Sequence, residues 1–121
     1  MTNEPRRILI IENDIDALSI IYTTLLPLDY SVEAAIDSAD LRPRIERFRP
    51  DLLMLGQNLS EIGAQELCQW LKQHFNARVV LIGRPQKLSP GWAEQLCFDD
   101  LLPKPVEPSV LLSKLNSLLL A

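Results

Sequence analysis

The side chains best suited to chemistry in this sequence are a lysine and a short acidic turn. Glu12, Asn13 and Asp14 directly follow the first apolar run of the chain, and Lys104 follows the last apolar pair before the C-terminal segment. Carboxylate and amide oxygens are ligands for hard cations, and a lysine can contact an anion or pair with a carboxylate. A third apolar run ends at Gly56, which offers no side chain at all.

Five apolar runs predict the strands that must position these residues. The run 52–55, preceded by Pro50-Asp51, is typical of a strand buried on both faces at the centre of a parallel sheet. Further strands are predicted at 8–11, 32–36, 79–82 and 101–102, and apolar residues at helical spacing follow each strand. This alternation predicts a parallel sheet covered by helices on both faces. The carboxyl ends of its strands, where Gly56 lies, are the usual place for a binding crevice.

Composition limits the possible functions. The chain has 121 residues, 47% of them hydrophobic, and a formal net charge of −4, which argues against non-specific nucleic-acid binding. No apolar run approaches the roughly 20 residues that a membrane span needs. Cys68 and Cys97 are too far apart for a zinc or redox motif, so we expect two reduced cysteines in a cytoplasmic protein. We expect one domain over 1–121, either standing alone or at the front of a longer protein.

Three features, taken together, resemble the receiver domain of bacterial two-component response regulators. They are the acidic turn after the first strand, the Pro-Asp pair that opens the central strand, and Lys104-Pro105 after the last strand, in register over nearly the whole chain. The resemblance implies an α/β, flavodoxin-like and CheY-like (βα)5 three-layer sandwich with parallel strand order 2-1-3-4-5. Its site would lie at the carboxyl ends of strands one, three and five.

In that family an aspartate at the end of the central strand accepts a phosphoryl group, and an acidic pair holds magnesium. A hydroxyl residue and a lysine contact the phosphoryl oxygens, and an aromatic residue reports the switch. The corresponding positions of this chain are Glu12, Asn13, Gly56, Gly83, Leu101 and Lys104. Only the lysine matches the family pattern fully, and one carboxylate of the acidic pair remains. The resemblance therefore leads to a remnant phosphoacceptor pocket.

The missing groups decide the predicted function. Gly56 supplies no nucleophile, and a single carboxylate is a poor ligand set for magnesium. We therefore expect no catalytic residue, cofactor or metal, and a phosphorylation-independent pseudo-receiver that acts through protein–protein contacts rather than as an enzyme. Two alternatives stay open: an active phosphorelay receiver using another acid such as Asp14 or Asp51, and a small-ligand-binding α/β module.

Lys104 has two interpretations. It could remain as a cation that contacts a phosphate or another anion, or it could pair with Glu12 across the strand ends, which we favour because a partly buried lysine needs a counter-charge. We expect Gly56 and Gly83 to leave a small solvent-filled hollow beside this ion pair. The resemblance also implies a cis bond between Lys104 and Pro105.

The resemblance implies protein partners: a linked output domain, a second copy of the chain or another signalling protein. Trp92, on a short predicted helix near Leu101, is either an anchor of this interaction surface or a cover for the edge of the core. Arginines of the second predicted helix either form a solvated face or contact an anionic partner; they are Arg42, Arg44, Arg47 and Arg49. Direct contacts with nucleic acid or membrane are not expected.

Overall fold

The computed structural model describes residues 4–57, 64–88 and 98–119. Within these ranges, parallel strands form one five-stranded sheet in the order β2-β1-β3-β4-β5. The strands are β1 (Arg6–Ile11), β2 (Tyr30–Ala35), β3 (Leu52–Gly56), β4 (Arg78–Gly83) and β5 (Asp100–Pro103). Every residue of β3 is buried, because helices cover both faces of the sheet centre. The predicted α/β fold class and strand order are confirmed.

The described helices are α1 (Ile15–Leu25), α2 (Leu41–Phe48), α3 (Ala64–His74) and α4 (Pro108–Leu119). Asp14 caps α1, since its carboxylate accepts hydrogen bonds from the N–H groups of Asp16 and Ala17. Asp40 occupies the equivalent position before α2 with a left-handed φ of 54° and makes no capping bond through its side chain. The short helix predicted around Trp92 lies outside the described residues.

Two cores hold the three layers together, one on each face of the sheet. Because side chains alternate along a strand, Ile8 and Ile10 of β1 pack on one face with α1 and α4, whereas Leu9 and Ile11 pack on the other face with α2 and α3. In α4 the fully buried residues recur every fourth position, at Leu111, Leu115 and Leu119. No helix in the described ranges has the length and hydrophobicity to span a membrane.

Cys68 lies on α3 in the second core, where it is 2% exposed. It is disulfide-bonded in the structure, so the prediction of a reduced thiol at this position is wrong. The sequence spacing had argued against a redox or zinc motif, but spacing along the chain does not limit which cysteines meet in space. Cys97 lies outside the described residues.

The register of the strands creates two chemically different edges. Gly56 pairs with Ile82 and Gly83 pairs with Pro103, so the ends of β3, β4 and β5 lie at the same edge of the sheet. We call this the carboxyl edge. The opposite edge, where the strands begin, is called the amino edge.

Candidate functional site at the carboxyl edge

Glu12 directly follows β1, and its carboxylate lies over Gly56 at the end of β3. A Cβ atom added to Gly56 would meet Glu12 Oε2 at 2.5 Å and Glu12 Cδ at 3.0 Å. Glu12 is 1% exposed. The space that a side chain at position 56 would need is therefore filled by a carboxylate from the neighbouring strand.

Lys104 neutralises this buried carboxylate. Its Nζ donates to Glu12 Oε1 at 3.1 Å and lies 3.3 Å from Asp14 Oδ2, and only 10% of its side chain is exposed. The predicted ion pair between Glu12 and Lys104 is present, and the Lys104-Pro105 bond is cis as expected. The second partner of Lys104, Asp14, was not predicted from the sequence.

Asp14 links the acidic turn to the lysine and to α1. Its own N–H donates to Glu12 Oε1 at 2.9 Å, which holds the Glu12 carboxylate in place. Partial burial acts to raise the pKa of the Asp14 carboxyl, but the hydrogen bonds from the Ala17 N–H and Lys104, together with the charge of Lys104, outweigh burial and lower that pKa. Asp14 is therefore held in its charged form beside the lysine.

The second oxygen of Glu12 has no hydrogen-bond partner among the described residues. Glu12 Oε2 is buried and points at the position above Gly56. A buried acceptor without a hydrogen-bond partner lowers the stability of the folded state. Other contacts must therefore hold the Glu12 side chain in this orientation. Lys104 and the Asp14 N–H supply the constraint through the other oxygen, Oε1.

Gln57 performs the same filling role at Gly83. A Cβ atom added to Gly83 would overlap Gln57 Oε1 and would lie 2.8 Å from Gln57 Cβ. The Gln57 amide is held in place because Oε1 accepts from the Arg84 N–H at 3.0 Å and Nε2 donates to the Lys87 carbonyl at 3.2 Å. Sequence reasoning missed Gln57, although a polar residue directly after the glycine that ends the central strand was the available signal.

The expected solvent-filled hollow is therefore a wrong prediction. The volume next to Gly56 holds the Glu12 carboxylate, and the volume next to Gly83 holds the Gln57 side chain. Glycine removes a side chain, and tight packing then favours any neighbouring side chain that can reach the space. Among the described residues, the space beside both strand-end glycines is therefore filled by side chains of the protein itself.

Magnesium, which the family resemblance associates with this edge, does not fit the residues present. Glu12 Oε1 is occupied by Lys104 and the Asp14 N–H, Asp14 caps α1 and contacts Lys104, and Asn13 is exposed. The Lys104 ammonium group already compensates the carboxylates of Glu12 and Asp14, which are the charged ligands that a divalent cation would use. Within the described ranges no group of three or more His, Cys, Asp or Glu side chains is arranged to hold a metal ion.

The remaining candidate residues lie elsewhere. Asp51 accepts from the Arg7 N–H at 2.8 Å at the amino edge, far from the remnant pocket as expected. Leu101 of β5 is half-buried. Trp92 lies outside the described residues, so its role as an interface anchor stays a prediction.

Comparisons with known proteins agree on the architecture. The signal receiver domain of an HD-domain-containing protein from Pseudomonas fluorescens Pf-5 is 20% identical, with a TM-score of 0.82 over 98% of this chain and 90% of that chain. A response-regulator signal receiver domain from Bermanella marisrubri is 22% identical, with a TM-score of 0.76 over 94% and 98%. These likenesses establish that the chain has the fold of response-regulator receiver domains.

One curated protein adds a likeness in sequence. The uncharacterized transcriptional regulatory protein YvcP of Bacillus subtilis (strain 168) is 28% identical over 114 residues, which are 93% of this chain and 48% of that protein. The chain thus spans about half the length of this relative. No family model matches the sequence.

Proposed function

We propose that this chain is the receiver domain of a response regulator and that it works without phosphorylation, as a pseudo-receiver. The receiver fold and the likeness to a transcriptional regulatory protein support the first part. The second part rests on the filled carboxyl edge. Regulation in this proposal acts through protein–protein contacts, without enzymatic activity and in the cytoplasm.

The observation that best supports the pseudo-receiver proposal is the position of the Glu12 carboxylate above Gly56. A receiver that accepted a phosphoryl group there would need both a nucleophilic oxygen on β3 and room for the group beside it. Position 56 has no such oxygen, and Glu12 Oε2 fills the room at 2.5 Å from the place of a Cβ atom. The lysine that would contact a phosphoryl oxygen is already neutralised by Glu12 and Asp14.

The rival proposal, phosphorylation of another acid, finds little support in the geometry. Glu12 is 1% exposed, so a phosphodonor does not reach its carboxylate. Asp14 is engaged by Lys104 and by the first turn of α1. Asp51 lies at the other edge of the sheet, with its carboxylate bound to the Arg7 N–H.

The proposed partner is a linked output domain or another signalling protein, with a second copy of the chain as a further candidate. We propose that the contact surface includes Leu101 of β5 and Trp92, because large aromatic anchors concentrate binding energy. Trp92→Ala should then weaken association while the unfolding midpoint stays unchanged. A loss of several kcal/mol in the free energy of unfolding, typical of a truncated core Trp, would instead assign Trp92 to the core.

Phosphorylation is tested directly by incubating the protein with Mg²⁺ and acetyl phosphate and measuring its intact mass. We expect no phosphate adduct. Stoichiometric labelling of any aspartate would overturn the pseudo-receiver proposal.

Gly56→Asp sharpens this test because it supplies the missing carboxylate. The new side chain must displace the Glu12 carboxylate, and it would still lack a second acid at Asn13 and a hydroxyl at Gly83. We expect little labelling of this variant under the same conditions. Robust labelling would mean that the remaining machinery is intact, and the loss at position 56 would then be an isolated change.

A further inference from the structure

A cavity of about 440 Å³ opens at the amino edge, on the side of the sheet opposite to the remnant pocket. Residues from the starts of β1 and β4, from the carboxyl-terminal ends of α3 and α4, and from the segments that follow α2 and α3 line it. The lining residues that matter for its chemistry are Arg6, Arg49, Asp51, His74, Phe75 and Arg78. Cavities of this size accommodate small organic ligands.

The three arginines of this cavity are under-neutralised. Arg6 forms no ion pair within the described part of the chain, and the nearest acid to Arg78 is Asp99 at 3.8 Å. Asp99 is already bound by Lys72 at 2.5 Å and by the Val79 N–H at 2.7 Å. This concentration of positive charge occurs in a protein whose formal net charge is −4, so it is a local feature.

Among the described residues, the acid that lines the cavity is Asp51, and it is already hydrogen-bonded. Asp51 Oδ2 accepts from the Arg7 N–H at 2.8 Å, and the Asp51 backbone N–H donates to the Arg7 carbonyl at the same distance. These bonds fasten the start of β3 to the start of β1. One carboxylate thus faces three guanidinium groups, which leaves the cavity with a positive charge.

Arg49 is placed in the cavity by an unusual backbone conformation. It ends α2 with a left-handed φ of 52°, a conformation that favours glycine and is uncommon for other residues. Its guanidinium lies 5.1 Å from the centre of the Phe75 ring. This position thus carries a cationic side chain, although glycine would adopt the left-handed conformation with less strain.

His74 provides a further polar group. Its Nδ1 lies 3.0 Å from the Trp70 carbonyl oxygen, which fixes Nδ1 as the donor nitrogen because a carbonyl can only accept. In the neutral ring the other nitrogen, Nε2, is then an acceptor, so the donors for an anion in this cavity are the arginines rather than His74.

We propose that this cavity binds a small ligand bearing phosphate groups. Guanidinium groups match phosphate oxygens in bidentate geometry and carry a permanent charge. The carboxyl-terminal ends of α2, α3 and α4 also face this edge, and each contributes about half of one negative charge. The three arginines and Asp51 leave about two net positive charges against about one and a half negative charges from the three helix ends. The remaining excess is small and positive, and the guanidinium groups supply the donors that an anion needs. This site lies apart from the remnant pocket and does not depend on the proposal made for it.

The test is titration calorimetry of the whole chain with inorganic pyrophosphate and, separately, with ADP at fixed ionic strength. We expect saturable binding at one site per chain. Tighter binding of ADP than of pyrophosphate would assign a nucleotide-like ligand, and equal affinities would assign recognition of the phosphates alone. Absence of saturable binding of both compounds would overturn the proposal.

Arg49→Gly is the decisive variant, since glycine adopts the left-handed backbone without strain and removes the cation. We expect affinity to fall about tenfold, the effect of one charged hydrogen-bonding group, with an unchanged unfolding midpoint. Arg47→Ala is the matched control, because it removes an exposed arginine of α2 that does not line the cavity.

Equal loss of affinity in Arg49→Gly and Arg47→Ala would mean non-specific screening and would contradict the site. If Arg49→Gly fails to fold, Arg6→Ala replaces it, because Arg6 is exposed at the start of β1 and lies in the same cavity. Unchanged pyrophosphate and ADP affinities in Arg6→Ala would then overturn the proposal.

Discussion

The two edges of the sheet differ in how far their charged side chains are compensated by charges of opposite sign. At the carboxyl edge, Glu12 and Lys104 are buried and compensate each other at 3.1 Å. At the amino edge, Arg6, Arg49 and Arg78 line an open cavity with too few carboxylates to match them. The difference indicates that the first set of charges holds the fold together and that the second is available to a ligand.

This arrangement reverses the usual one for the fold. Open α/β sheets bind ligands at the carboxyl ends of their strands, where helix amino termini add positive potential. Here Glu12 and Gln57 fill the space beside two strand-end glycines in the described part of that crevice. Positive potential at the amino edge comes from side chains instead of from helix ends.

Lys104→Met should have the largest effect of the changes that compare the two edges. It leaves the Glu12 carboxylate buried without a counter-charge, which costs about 3–5 kcal/mol of the free energy of unfolding. The matched change at the amino edge, Arg78→Met, removes a long pair to Asp99 from a side chain that is 55% exposed, and should cost less than about 1 kcal/mol. Urea unfolding of both variants measures the contrast.

Similar losses in Lys104→Met and Arg78→Met would break the distinction between a structural edge and a binding edge. Adding Glu12→Gln to Lys104→Met should recover much of the lost stability, because the uncompensated charge is then gone. A double variant as unstable as the single one would contradict the assigned cause.

Gly56→Ala should have an intermediate effect. The backbone of Gly56 is not in the left-handed region, and the three atoms nearest to the added Cβ all belong to the Glu12 carboxyl group, at 2.5–3.2 Å. Overpacking of this kind costs about 1–3 kcal/mol. In a Glu12→Ala background the same change should be close to neutral, and a double-mutant cycle measured by urea unfolding gives the coupling. Additive effects would show that Glu12 does not fill the space.

Asp14→Asn should have the smallest effect, one that depends on pH. Asparagine keeps the helix cap but loses the charge beside Lys104. Because the folded state lowers the pKa of Asp14, its charge stabilises the protein above the ordinary carboxyl pKa of about 3.9, and this contribution disappears as the pH falls through the folded-state pKa. The Asp14 side chain is 38% exposed, so we expect about 0.5–1 kcal/mol near neutral pH.

Urea unfolding of the wild type and Asp14→Asn at several pH values measures this difference. It should be greatest at neutral pH and shrink below about pH 4. A difference that stays constant down to pH 2 would mean that the Asp14 charge contributes nothing and that only the cap changed.

The sequence by itself determined the layers, the strand order and the pairing of Glu12 with Lys104. Apolar runs and helical periodicity fixed the elements, and the receiver-like register brought the strand ends together. The cap at Asp14 followed from local hydrogen bonding, which depends on neighbouring residues. These features could be predicted because each depends on residue type at a known place in a regular element.

Only the tertiary structure decided how the glycines of the pocket are used. The Glu12 side chain lies over Gly56, and the Gln57 side chain lies over Gly83. Each side chain fills space that a glycine of a neighbouring strand leaves empty, because protein interiors are closely packed. The meeting of Arg6, Arg49 and Arg78 around one cavity likewise joins parts of the chain that the sequence pattern treats separately. The disulfide at Cys68 was also not predicted from the sequence. Sequence periodicity assigns a residue to a face or an edge, and only packing in three dimensions decides which neighbour it meets there.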